Sequence, residues 1–119
     1  MIKLISHERQ GAQLLAPQGR IDQITAEEFR LQLAPHLENC TEGAQPVIID
    51  FSAVPYISSV GLRVLMLAAR QVSAQKGWLA IAALTPLVRE VFSISRFDLI
   101  LKTFGTVDEA VAAFAGQHP

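Results

Sequence analysis

"PVIIDFSAVPYISSVGLRVL", Pro46 to Leu65, passes from an unbroken apolar run through a short loop into a helical spacing. A strand with one wet face alternates apolar and polar residues. A continuous β-branched run such as Val47-Ile48-Ile49 instead suits a parallel strand covered on both sides. Beyond the loop, Leu62, Leu65, Met66, Ala69 and Val72 recur at intervals of three and four, the stripe of a helix that faces a sheet. Strand, loop and helix in that order make one half of a crossover unit and point to an α/β fold. At the junction stand Ser58, Ser59 and Gly61. One hydroxyl is enough to cap a helix, so the second needs another explanation.

Reading outward, Met1 to Ser6 is expected to be a first strand and Gly11 to Ala16 a second, with His7 to Gln10 as the polar turn between them. Thr25 and Glu28 make a capping box for a helix that carries Phe29, Leu33 and Leu37 on one face, with Pro35 placed to kink or shorten it. The helix after the serines is expected to end at Lys76-Gly77, with a cation in the last turn and a glycine positioned to cap. "WLAIAAL", Trp78 to Leu84, is the next strand. Thr85 as N-cap and Pro86 at the first helical position then open a helix with Leu87, Val88, Val91, Phe92 and Ile94. Ile100 to Phe104 makes a last short strand. Thr106 to Glu109 is a second capping box, opening a helix that runs through Phe114. The order β-β-α-β-α-β-α-β-α predicts a mixed, mostly parallel sheet with helices packed on it.

The chain has 119 residues, half of them hydrophobic and 18% charged, with a formal net charge of −1. That length suits one domain over residues 1–119. The near-neutral balance argues against nucleic acid, which needs clustered Lys and Arg. No apolar run is long enough to span a membrane. "MIKLISHERQ" breaks into charge too early for a signal peptide, so a cytoplasmic location is expected. Cys40 is the lone cysteine and is read as an ordinary structural residue. His7, His36 and His118 are scattered, and no metal site or cofactor is expected. The serines lack the lysine of a phosphate-cradling loop and the flanking glycines of a nucleophile elbow, so no enzyme is read here.

In open α/β sheets functional groups gather at the carboxyl ends of strands. A helix N-terminus there offers free N–H groups and a partial positive charge. From the residues alone, two readings of Ser58-Ser59 stand side by side: a plain cap with a spare turn serine, or a hydroxyl exposed to carry a phosphate.

"VIIDFSAVPYISSVGLRVL" resembles the signature of the STAS-domain anti-sigma factor antagonists, the anti-anti-sigma factors of bacterial partner switching. "GRID", Gly19 to Asp22, is similar to that family's Gly-x-Leu-Asp after the second strand. "ALTPLVREVFSISRFDLILKTFGTVDEAV" is similar to its third helix, final strand and last helix. Gly61-Leu62 sets the register and places Ser59 on the family's phosphorylated serine. Ser58 stands where the family often has Asp, and remains a competitor. Val60 stands where Ser or Thr is common.

The resemblance implies a phosphoprotein without enzymatic activity that takes part in transcription regulation. Unphosphorylated, it would bind an anti-sigma factor that is also a serine kinase, and so release that factor's target. Phosphorylation of Ser59 would break the complex, and a PP2C-type phosphatase would restore it. The docking surface would include Asp22, Ser58, Val60, Leu62, Arg63 and the Thr85-Pro86 turn. The alternative is a non-switching STAS scaffold, or a subunit of a signalling or transport complex. Nucleotide binding at the helix N-terminus has only that terminus in its favour.

Overall fold

The computed structural model describes residues 2–117. Two antiparallel strands, β1 (Lys3–Arg9) and β2 (Ala12–Gln18), lead into helix α1 (Ala26–Glu38). Then follow β3 (Val47–Asp50), α2 (Ser59–Ala74), β4 (Leu79–Ala82), α3 (Pro86–Ile94), a single 3-10 turn at Phe97–Leu99, β5 (Lys102–Phe104) and α4 (Val107–Gln117). The sheet order is β1-β2-β3-β4-β5, antiparallel only between β1 and β2. The fold is therefore the expected α/β sheet, with β3 at its centre.

Why β3 is apolar throughout is visible in its two faces. Val47 and Ile49 point into a core shared with Phe29 and Leu33 of α1, Leu65 and Val72 of α2, and Val88 and Phe92 of α3. Ile48 points the other way, into a smaller core with Leu14, Ala80, Ala82 and Ala110 of α4. Three helices thus cover one face and α4 the other. Phe51 and Phe92 meet edge to face at 6.4 Å in the larger core, and Trp78 stacks on Phe104 at 6.1 Å in the smaller one.

The α2 stripe is broader than its sequence spacing suggested. Leu65 is fully buried, as expected, and Val72 nearly so. Gly61, Val64 and Ala68 join them in the buried face, whereas Leu62, Met66 and Ala69 are half-buried at its margin.

Several local expectations need correction. The first turn lies later than His7 to Gln10. β1 continues to Arg9, and the hairpin closes through Gln10 and Gly11, with Arg9 paired to Ala12. Both turn residues have positive φ, 51° and 84°, the geometry of a two-residue turn that matches strand twist. The expected strand start at Met1 lies outside the described residues, as does His118.

The Thr25–Glu28 capping box does not form. Thr25 turns its hydroxyl to the carbonyl of Arg20 at 2.8 Å, and the Glu28 carboxylate accepts from the backbone N–H of Ile2 at 2.6 Å. Pro35 does not end α1, which continues to Glu38. The Thr85 hydroxyl makes no cap either, for reasons that concern the site below. Of the apolar residues that α3 carries, Leu87 and Ile94 are exposed; Val88 and Phe92 are the buried pair.

At the end of α2 the glycine is not the left-handed residue. Lys76 has φ 61°; its N–H donates to the carbonyl of Ser73 and that of Gly77 to the carbonyl of Val72, at 3.1 and 2.9 Å. That is a Schellman pair with lysine in the place glycine usually takes. Gly77 is needed for a different reason: a Cβ there would overlap the backbone carbonyl of Cys40. Cys40 itself is buried, its thiol donating to the carbonyl of Trp78 at 3.3 Å, and burial pushes that thiol's pKa up.

Candidate functional site

The loops that leave the carboxyl ends of β2 and β3 are tied together by backbone hydrogen bonds. Gly19 N–H donates to the carbonyl of Ala53 at 3.0 Å, Ile21 N–H to Tyr56 at 2.9 Å, and Ser58 N–H to Ile21 at 2.8 Å. Ile21 and Ile57 form an isolated parallel bridge, so the Gly19–Asp22 segment runs beside the approach to α2. The Thr85 hydroxyl adds the third loop, donating to the carbonyl of Val54 at 2.9 Å. Thr85 holds the expected N-cap position of α3, but its hydroxyl serves as a loop tie and makes no cap hydrogen bond.

Gly61 makes this junction possible. A Cβ there would lie 2.7 Å from both the Ile21 Cγ2 and the Ile57 Cγ1, closer than real side chains approach. The first turn of α2 is thereby pressed against the Ile21–Ile57 bridge, and Asp22 and Ser58, each next along its segment, are held at the same edge.

The two serines are treated differently. Ser58 is the N-cap, with extended backbone (φ −89°, ψ 173°), and its Oγ accepts from the Gly61 N–H at 3.2 Å. It is 9% exposed. Ser59 is the first helical residue and is exposed. The capping chemistry therefore consumes Ser58 and leaves the Ser59 hydroxyl in water at the positive end of a 16-residue helix.

Asp22 is half-buried and already engaged. Its Oδ1 accepts from the backbone N–H groups of Ile24 and Thr25 at 2.9 and 3.0 Å. Those bonds, that from Thr25 foremost, hold its carboxyl below the usual carboxylate pKa. Around α2, Val60 is 45% exposed, Leu62 half-buried and Arg63 exposed. The Arg63 side chain makes no hydrogen bond or ion pair among the described residues. Thr85 is half-buried and Pro86 exposed.

Two features of this edge escaped the sequence reading. Ile24 is 82% exposed, the barest large apolar side chain among the described residues. Arg20 lies over the Tyr56 ring at 4.4 Å. Neither belongs to a periodic pattern: Ile24 sits in a turn, and the Arg20–Tyr56 contact joins residues that the pairing of the two loops brings together. Among the described residues no group of three His, Cys, Asp or Glu is placed to hold a metal ion, and no helix is long and apolar enough to cross a membrane.

Comparison with known proteins bears on this arrangement. The STAS domain family model matches residues 3–110. A Bordetella bronchiseptica protein, BtrV, named as a candidate anti-sigma factor antagonist, is 35% identical over 118 residues, covering 99% of each chain. Among solved structures, an anti-sigma factor antagonist from Mycobacterium paratuberculosis superposes with a TM-score of 0.84 at 22% identity, over 95% of this chain and 93% of that one. The Bacillus protein SpoIIAA superposes in its unphosphorylated form with a TM-score of 0.73 at 20% identity, over 96% of this chain and 97% of that one. Its phosphorylated form gives 0.64 at 19% identity, over 96% and 99%. The chain belongs to the STAS-domain family of anti-sigma factor antagonists.

Proposed function

We propose that this STAS-domain chain is the antagonist arm of a bacterial partner switch, acting in the cytoplasm. In its unphosphorylated form it binds an anti-sigma factor that is also a serine kinase, and the restrained target goes free. The kinase phosphorylates Ser59, the complex separates, and a PP2C-type phosphatase resets the protein. The observation that carries this reading is the division of labour between the serines. Ser58 is buried and committed to the Gly61 N–H, while Ser59 is exposed one residue later.

The physics of the modification agrees. A phosphate adds about −1.5 to −2 charges at neutral pH. At the first position of a helix that charge faces unpaired N–H groups and a favourable dipole, so the fold tolerates it. Its cost falls on the complex, where it must be desolvated or must face the partner's own charge. With Ser59, the proposed docking surface takes in Asp22, Ser58, Val60, Leu62, Arg63, Thr85 and Pro86.

Titration calorimetry against the anti-sigma kinase from the same genomic neighbourhood tests the reading. Wild type and Ser59→Ala should bind alike, and Ser59→Asp should bind at least about tenfold more weakly. Equal binding by Ser59→Asp would leave a scaffold that does not switch at this residue.

A further inference from the structure

The outer side of α2 does not stop at Ser59. Ser59, Arg63 and Arg70 follow one another at intervals of four and seven, along the side opposite the buried stripe of Gly61, Leu65, Ala68 and Val72. Beside that line stand Val60 and Leu67, again seven apart, 45% and 44% exposed. Leu67 forms one wall of a cavity of about 160 Å³ between α1 and α2, whose lining includes Leu33, Ala34, Val64 and Ala68.

α2 carries two arginines and no acidic residue, in a chain whose net charge is −1. Neither Arg63 nor Arg70 is in an ion pair among the described residues. Arg30, on the α1 side of the groove, is already bound to Glu27 through two hydrogen bonds, one of them at 2.9 Å.

Resting on the function proposed above, we infer that this strip takes an acidic, amphipathic helix of the kinase partner, laid along α2 with its apolar side in the α1–α2 groove. The heptad spacing of Val60 with Leu67, and of Arg63 with Arg70, matches two turns of a helix lying alongside. Small residues at Ala34 and Ala68 leave room for a ridge of side chains to enter. The two unpaired arginines call for carboxylates opposite them. A second copy of this chain does not fit, because a two-fold contact on this face would bring arginines against arginines with no acid of α2 to offset them. The strip begins at Ser59, so a phosphate there would stand where the partner's acidic side has to pass.

The test uses residues remote from Ser59. Leu67→Glu with Arg70→Glu, and Arg70→Ala alone, are titrated as full chains against the kinase used for wild type. All of these side chains are exposed, so melting temperatures should match wild type. The double variant should bind about 30-fold more weakly or worse, and Arg70→Ala about fivefold more weakly. If both bind as wild type does while Ser59→Asp fails, the strip is wrong and the switch at Ser59 stands. If the double variant fails while Ser59→Asp binds normally, the strip stands and the switch is elsewhere. Sedimentation of wild type with phosphatidylserine vesicles, lost in the double variant, would make the face a lipid surface and overturn the partner helix.

Discussion

Helices α2 and α4 both begin at residues with hydroxyls, and they spend them differently. At α4, Thr106 Oγ1 accepts from the Glu109 N–H at 3.0 Å, and the Glu109 carboxylate accepts from the Gly105 N–H at 3.2 Å. Asp108 adds a second acid to the first turn and pairs with Arg9 of β1 at 2.7 Å. Both acids and the hydroxyl are turned inward on the protein's own groups. At α2 the first turn holds no acid. Ser58 alone caps, and the hydroxyl of Ser59 is exposed. One helix start is closed by its own side chains; the other keeps a positive end open, with an exposed hydroxyl on it. The proposed switch rests on that contrast between groups of the same chemical type.

The largest effect that sharpens the contrast concerns how firmly α2 is anchored. Leu65 is fully buried under the α1–α3 face, so Leu65→Ala should lower stability by about 2–5 kcal/mol in urea melts. A loss below about 0.5 kcal/mol would mean that α2 is not held by that stripe.

Gly61→Ala comes next. Its Cβ would press on Ile21 and Ile57, and overpacking of this kind costs about 1–3 kcal/mol. The same methyl group should push the Asp22 segment away from Ser58, so backbone NMR shifts at Asp22 and Ile24 should move. Gly116 of α4 has open space around it, and Gly116→Ala is the matched control with no such loss.

The serines themselves should then divide. Ser58→Ala removes a cap and should cost about 1 kcal/mol, whereas Ser59→Ala should stay within about 0.5 kcal/mol of wild type. Equal losses in thermal melts would erase the distinction between them. The smallest effect is one of pH. The Asp22 carboxyl is held below its usual pKa by the Thr25 and Ile24 N–H groups. Its charge therefore adds stability above about pH 4, and that contribution fades as the pH falls through the lowered value. Asp22→Asn keeps the hydrogen-bonding shape and loses the charge. Its deficit against wild type should be present at pH 7 and shrink in acid; a deficit unchanged at pH 3 would assign it to shape alone.

The order of elements was legible because the buried strands are unbroken apolar runs and the helices carry periodic stripes. What was hidden follows from tertiary contact. β1 is an exposed edge strand whose polar residues resemble a turn, so the sequence places the turn at His7 to Gln10 and not at Gln10-Gly11. Thr25 and Glu28 share the pattern of Thr106 and Glu109, yet Arg20 and Ile2 outcompete the local cap. The register of Gly61-Leu62 singled out Ser59, but only the packing of Gly61 on Ile21 explains why Asp22 belongs to the same edge. Ile24 sits in a turn, and Leu67 and Arg70 lie outside the buried stripe of α2, so neither the apolar pattern nor the family motif marks them.

In the proposed switch Ser58 holds the helix and Ser59 carries the phosphate. The most direct measurement is peptide mapping by mass spectrometry after incubation with ATP and the anti-sigma kinase, on wild type, Ser58→Ala and Ser59→Ala. Phosphate should appear on Ser59 in wild type, persist in Ser58→Ala and vanish in Ser59→Ala. Phosphate on Ser58, or full labelling of Ser59→Ala, would contradict the account.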